Sequence, residues 1–153
     1  MKMINDIIIR KPVAADFEQW KKCWQEYLAF YEATLEDDMI NLAWKRMNSG
    51  DEHEFIAIGA FSADHKMVGL IHYLYHRHGW KRMNVCYLQD LFVLQSHRRL
   101  NIATKLIESL YQQARDYGAE QVYWLTQDFN HGARKLYDEV ATQTSFIKYS
   151  HDL

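Results

Sequence analysis

Cysteine is scarce in this chain: Cys23 and Cys86 are the only two in 153 residues, far apart and in no C-x-x-C pair. No evident zinc pattern remains, and buried free thiols in a reducing compartment are the expectation. Proline occurs once, at Pro12, and there is no repeat, low-complexity tract or long linker. One compact domain over residues 1–153 follows. Neither sign of charge dominates, since 18 basic against 20 acidic side chains give a formal −2. That balance supplies no global positive field for nucleic acid or a membrane surface, although eight histidines alter it at lower pH. Long apolar runs are missing as well. The run in MKMINDIIIRKP is too short for a signal-peptide core or a membrane span, so a cytoplasmic location without an anchor is expected. What the chain does have is 48% hydrophobic content, enough for a substantial core.

The pattern of that content alternates between strand and helix. INDIIIRK suits a first strand closed by Pro12, and Asp16 can cap a helix carrying Trp20, Trp24, Tyr27, Leu28 and Tyr31 at helical spacing. An acidic patch, EATLEDD, precedes a second helix through Leu42, Ala43 and Met47, which Asn48, Ser49 and Gly50 stop. EFIAIGAF, KMVGLIHYLY and VCYLQDLFV read as an antiparallel meander around the turns SADHK and HGWKRMN. A helix with Ile102, Leu106, Ile107, Leu110 and Ala114 on one face follows, stopped by Gly118. QVYWLTQ is then a strand, Ala133, Leu136, Tyr137 and Val140 mark a short helix, and SFIKYS is a final strand. The expected class is α+β: a mixed, mostly antiparallel sheet with helices on its faces, in the order βααβββαβαβ.

Between the third meander strand and the long helix lies VLQSHRRLNIATKLIESL, with two arginines and an asparagine at its hinge. A strand, turn and helix start together aim several backbone N–H groups at one place, because the first helical turn has no internal acceptors for them. The hinge is therefore a candidate anion site; the alternative is an ordinary solvated loop.

The residues here resemble the GNAT superfamily of N-acetyltransferases. Its coenzyme motif is Arg or Gln, two residues, Gly, one residue, then Gly or Ala; here Arg98-Arg99-Leu100-Asn101-Ile102-Ala103 stands in that register. TKLIESLYQQARDYGAEQVYWLTQDFNHGARKLYDEV resembles the remainder of the coenzyme half, so the likeness runs from Tyr87 to Val140. In detail VYWLTQDFNHGARKLY is most similar to the small histone and polyamine acetyltransferases, and YLQDLFV to the diamine enzymes. The resemblance implies acetyl-coenzyme A as cosubstrate, with no metal, and a primary amine on a small molecule or peptide as acceptor. It implies that main-chain N–H groups from Arg99 to Thr104 hold the pyrophosphate. Asparagine tolerates a left-handed backbone, so the loop survives Asn101 in place of glycine, with coenzyme affinity the property at stake. A homodimer is the family habit.

Four chemical roles follow for amine acetylation: an uncharged amine, an attack on the thioester carbonyl, an N–H donor for the oxyanion and a proton for the leaving thiolate. By resemblance the coenzyme arm lies along Leu91, Phe92, Val93 and Leu94, with a main-chain N–H near Phe92 or Val93 polarising the carbonyl. Asn130 binds the pantetheine arm, unless it is only a turn residue. Tyr137 gives its proton to the sulfur as general acid; its alternative is a packed core tyrosine. The diamine enzymes carry a glutamate where this chain has Gln89, which leaves the general base open. Asp90 beside it is a candidate, although strand neighbours face opposite sides and Asp90 can be structural. Tyr31 and Glu32 are candidate substrate contacts, Glu32 by rough correspondence with an acidic contact of the polyamine enzymes; a solvated helix end is the alternative. A water-relayed base, or none, stays open.

His72, His76 and His78 share one face of an uninterrupted strand, but no carboxylate or cysteine spacing completes a metal site. Cleft lining or surface is their expected place. The abundant aromatic residues read as core, cleft and dimer contacts rather than a nucleic-acid platform, for lack of a basic stripe. A non-catalytic coenzyme-binding module is the competing functional class, sustained by Gln89 and Asn101. Cationic amines are expected to outperform neutral amino acids, on the strength of Glu32, Glu36, Asp37 and Asp38.

Overall fold

A computed structural model describes residues 6–153, so Ile4 and Asn5 of the expected first strand lie outside the described residues. Nine elements follow one another: β1 (Ile8–Arg10), α1 (Phe17–Phe30), α2 (Asp37–Met47), β2 (Ile56–Phe61), β3 (Met67–His76), β4 (Val85–Val93), α3 (Ile102–Tyr117), β5 (Val122–Tyr123) and α4 (His131–Val140). The five strands form one sheet in chain order. β1 to β4 are antiparallel, and β5 lies parallel to β4 because α3 carries the chain back across the sheet. The expected mixed class is the observed one.

Each face of the sheet has its own core. On the α3 side Leu106, Ile107 and Leu110 are wholly buried against Ile71, Tyr73 and Leu88, which is the helical stripe legible in the sequence. Gly69 permits the close approach: a Cβ there would stand 3.1 Å from Leu106 and 3.2 Å from Ile102. On the other side α1 and α2 bury Trp20, Cys23 and Ile40 against Phe61, Leu70 and Phe92. Each such side chain contributes about 1.5–3 kcal/mol relative to exposure. Burial pushes the thiols of Cys23 and Cys86 up to about 12, so both stay protonated.

Two local expectations need correction. Asp16 sits at the start of α1, but its carboxylate makes no cap bond to the helix. It turns back instead, accepting the Val13 N–H at 2.7 Å and the Arg10 guanidinium at 2.7 Å. The Arg10 hydrogen bond holds this carboxyl below the usual carboxylate range. A depressed folded pKa makes the stabilisation complete above the unfolded value and lost as pH falls through the folded one. Asp16→Asn is therefore expected to lower stability by about 1–3 kcal/mol at neutral pH, with the gap to wild type closing below about pH 4 in thermal melts. A gap independent of pH would remove the ionised pair as its cause.

The second correction is the final strand. Residues 141–153 form no strand and are exposed throughout, with Phe146, Ile147 and Tyr149 at 79%, 76% and 88% exposure. A strand needs a partner for its ladder, and the tail has none among the described residues. β5 is likewise shorter than QVYWLTQ suggested, covering two residues.

Candidate active site

The register between β3 and β4 decides where Asp90 points. His72 pairs with Asp90 and Tyr73 with Leu88, so Gln89 is an extra residue, a bulge. Side chains on a strand alternate, and one inserted residue reverses the alternation beyond it. Leu88 accordingly faces the α3 core, while Asp90 and Phe92 face α1. Gln89 remains exposed at the bulge. The alternation that counted against Asp90 is interrupted at this point of the sheet.

Asp90 is held from below and from one side. His72 Nδ1 lies 2.9 Å from its Oδ2, and the Tyr27 phenol stands near enough to feel the charge of the same carboxylate. Burial, with the Asp90 charge next, pushes the Tyr27 and Tyr31 phenols upward, keeping them protonated donors. A cleft of about 310 Å³ opens above, lined by Asp90, Gln89 and His72 together with Trp24, Arg46 and Glu54. The Trp24 indole Nε1–H is buried there without a hydrogen-bond partner among the described residues. Arg46 stands 3.9 Å from Glu54, a loose pair that leaves most of its donors free.

Tyr137 reaches the same region from α4. Its ring packs edge-on against Trp124, centroids 5.4 Å apart. Burial first, and the neighbouring Tyr31 second, push its phenol up to about 12. Asp90 and Gln89 thus line the cleft, while Tyr31 stands near Asp90 and Tyr137 near Tyr31, outside its lining. Glu32 is not among its lining residues: it is exposed in the turn after α1, with φ of 56°. The rest of the acidic run serves α2, where Asp37 pairs with Lys21 at 3.2 Å and Asp38 accepts the Met39 N–H. Acidic side chains in a first helical turn also suit the helix dipole.

The three histidines separate. His72 is 1% exposed in the core beneath the cleft, His76 bonds the Tyr123 hydroxyl at 2.7 Å, and His78 lies beyond the end of β3 against Trp80. No group of three or more His, Cys, Asp or Glu that could hold a metal occurs among the described residues.

A second opening lies on the other side of β4. β5 pairs only at Cys86 and Tyr87, so among the described residues β4 from Leu88 to Val93 has no strand neighbour on that edge. Leu91, Phe92 and Val93 belong to this unpaired stretch, and Leu94 follows it. The hinge then carries two residues in the left-handed region, Arg99 at φ 64° and Asn101 at φ 61°. Alternating conformations of this kind turn successive N–H groups to one side, and α3 begins at Ile102 with Ala103 and Thr104 in its first turn. Leu100 tucks inward against the α3 core, and the Arg98 guanidinium bonds the Val93 carbonyl at 3.2 Å beside Phe30 and Phe92. Asn130 caps α4, its Oδ1 accepting the Ala133 N–H at 3.4 Å. The turn role is therefore filled by the carbonyl oxygen, leaving the amide N–H groups for other partners.

Sequence reasoning missed Tyr27, Trp24, Arg46 and Glu54. Trp24 and Tyr27 read as part of a core stripe, and no local spacing marked Arg46 or Glu54.

Three comparisons bear on this geometry. A model of the acetyltransferase (GNAT) family matches residues 17–141. The chain is 32% identical over 152 residues to the D-amino-acid N-acetyltransferase HPA3 of Saccharomyces cerevisiae, covering 99% of this chain and 94% of that one. Among solved structures it superposes on the aminoglycoside N-acetyltransferase AAC(6')-Iy in complex with a coenzyme A bisubstrate analogue, with a TM-score of 0.82, 18% identity and coverage of 96% and 98%. A ribosomal-protein-alanine N-acetyltransferase from Brucella melitensis superposes with a TM-score of 0.77 at 18% identity, covering 96% and 99%.

Proposed function

Because this chain belongs to the acetyltransferase (GNAT) family and is an acetyl-coenzyme A-dependent N-acetyltransferase, we propose that its acceptor is a small amino acid, attacked in a ternary complex. The observation that carries this reading is the mixed lining of the 310 Å³ cleft. Asp90 offers a carboxylate to an ammonium, while the Arg46 guanidinium offers donors to a carboxylate. A zwitterion answers both; a polyamine answers only the acidic side of the lining. The yeast relative, named for D-amino acids, supports the same class. This replaces the preference for cationic amines, since the acidic run that suggested it is taken up at α2.

In this reading the coenzyme arm adds to the unpaired edge of β4 along Leu91 to Leu94. Its pyrophosphate meets the main chain of Arg99 to Thr104, with Arg98 and Asn130 as flanking contacts. Acetyl-coenzyme A supplies the thioester. Asp90 binds the acceptor ammonium and takes its proton, beside Gln89 and Tyr31; the nitrogen attacks the carbonyl, whose oxyanion meets a main-chain N–H near Phe92 or Val93. Tyr137 protonates the departing sulfur. Following thiol release across amino acids of both hands, polyamines and aminoglycosides tests the acceptor class. Neutral amino acids are expected to lead, and a clear lead for polyamines would sink the proposal.

One domain, acting in the cytoplasm as a homodimer, completes the reading. Two buried free thiols support a reducing compartment. The unpaired outer edge of β5 and the exposed tail of the same chain are complementary, and reciprocal pairing between two copies would cover Phe146, Ile147 and Tyr149. Sedimentation at micromolar concentration is expected to give a dimer, and removal of residues 144–153 a monomer. A wild-type monomer would exclude this assembly.

A further inference from the structure

Beneath the cleft, three side chains far apart in sequence form one hydrogen-bonded line. The Trp20 indole on α1 donates from Nε1 to His72 Nε2 at 2.9 Å, and His72 Nδ1 lies 2.9 Å from Asp90 Oδ2. An indole nitrogen is a donor only, so Nε2 of His72 must be bare. The imidazole proton therefore sits on Nδ1 and is donated to the carboxylate. Trp20 and His72 are essentially inaccessible to solvent, at 0% and 1% exposure. Around the imidazole stand the rings of Trp20, Trp24 and Phe55, with centroids 5.9, 5.4 and 5.1 Å away. A second proton on Nε2 would aim one N–H at another inside this aromatic wall. Among the described residues the charged group touching His72 is Asp90, with Arg46 and Glu54 on the cleft walls and the Tyr27 phenol near Asp90.

Packing alone does not ask for this arrangement. A leucine or phenylalanine at position 72 would fill an apolar site without requiring two matched polar partners, and buried polar lines are costly unless every member is satisfied. Here each atom has its partner, and the line ends on the carboxylate that lines the cleft.

We propose that His72 is a positioning residue for the acetyl transfer: it fixes the rotamer of Asp90 toward the acceptor amine, and Trp20 fixes the tautomer in which it can do so. The proposal rests on the reading that Asp90 serves the amine. At 1% exposure His72 borders the cleft with almost no surface of its own and acts through Asp90. With its Nδ1–H committed, His72 anchors Oδ2 and leaves the rest of the carboxylate to the cleft. With Nε2 committed to Trp20, the imidazole proton is kept on the nitrogen that faces Asp90.

A double-mutant cycle on the full chain tests this, with His72→Leu and Asp90→Asn singly and together, and His72→Asn as the donor-retaining variant. Steady-state kinetics with acceptor and with acetyl-coenzyme A, coenzyme A affinity and thermal melts are read on the same preparations. Misplacement of a reacting group costs up to about a hundredfold. His72→Leu is thus expected to lose about tenfold to a hundredfold in kcat/KM for the acceptor, with coenzyme A affinity unchanged. His72→Asn, whose side-chain N–H can replace Nδ1–H, should recover most of it. In the Asp90→Asn background His72→Leu should add almost nothing, because the two act as one unit. If Asp90→Asn is impaired and His72→Leu adds its full effect on top, the positioning role is overturned while the role of Asp90 stands. If Asp90→Asn alone retains wild-type kinetics, the underlying reading falls instead. Trp20→Phe supplies the second arm: with Nε2 unpartnered the imidazole proton can sit on either ring nitrogen, so kcat/KM for the acceptor should fall about severalfold with coenzyme A affinity unchanged. Wild-type acceptor kinetics in a folded Trp20→Phe variant overturn the tautomer lock.

Discussion

Tyr137→Phe is expected to lower turnover by about a hundredfold to ten-thousandfold, the contribution usual for a general acid, with coenzyme A affinity and melting temperature close to wild type. The substitution keeps the ring that packs on Trp124 and removes only the hydroxyl. That hydroxyl is pushed up to about 12, chiefly by burial, so it is a protonated donor throughout the neutral range. A phenol so raised is a weak acid toward a thiolate in water. A thiolate formed in the same desolvated place has its own proton affinity raised by the same cause, which narrows the gap. If the hydroxyl served only to satisfy the core, its removal would lower stability by about 0.5–1.5 kcal/mol and spare turnover. The phenol shift is produced by desolvation and Tyr31, with no hydrogen bond among its causes. Comparing kcat and thermal midpoint on one preparation separates the two accounts, and wild-type turnover in a folded Phe variant would remove Tyr137 from the chemistry.

The parts of this molecule that were legible in the sequence are those that depend on periodicity. Ile102, Leu106, Ile107 and Leu110 recur at the helical repeat, and the helix they define buries them. The meander strands follow their β-rich runs, and the hinge from Arg98 to Ala103 stands at the expected strand-to-helix junction. Asn101 adopts the left-handed conformation that made it an acceptable substitute for glycine. What depends on long-range partners was hidden. SFIKYS has the composition of a strand, yet a strand exists only where an edge receives it, and among the described residues none does. The side of the sheet that Asp90 faces depends on one inserted residue at Gln89, which alternation alone cannot reveal. His72 borders the cleft as one of its expected places, but its bonds to Trp20 and Asp90 were hidden because these partners are 52 residues upstream and 18 residues downstream. Glu32 and the acidic run had the right charge for a cationic acceptor, but the geometry spends Asp37 and Asp38 on Lys21 and the start of α2.

Asp90→Asn is the variant that most directly tests the chemistry at the acceptor. The amide retains the size of the carboxylate and can still accept the His72 N–H, so the fold should persist. It cannot carry charge or take a proton, and it turns an N–H toward a site meant for an ammonium. For an amino-acid acceptor, protonated at neutral pH, kcat/KM should fall about a hundredfold to ten-thousandfold, with coenzyme A affinity unchanged. The acceptor's own basicity supplies the control. An amine of low basicity, already uncharged at neutral pH, needs neither the counter-charge nor the proton acceptor, so Asp90→Asn should cost it far less. Raising pH should likewise restore part of the loss for the ordinary acceptor as its free-base fraction grows. An equal loss for both amines at every pH would show that Asp90 shapes the cleft without handling the proton. Wild-type rates for both would leave the reaction without any carboxylate at this position, and proton removal would then fall to water.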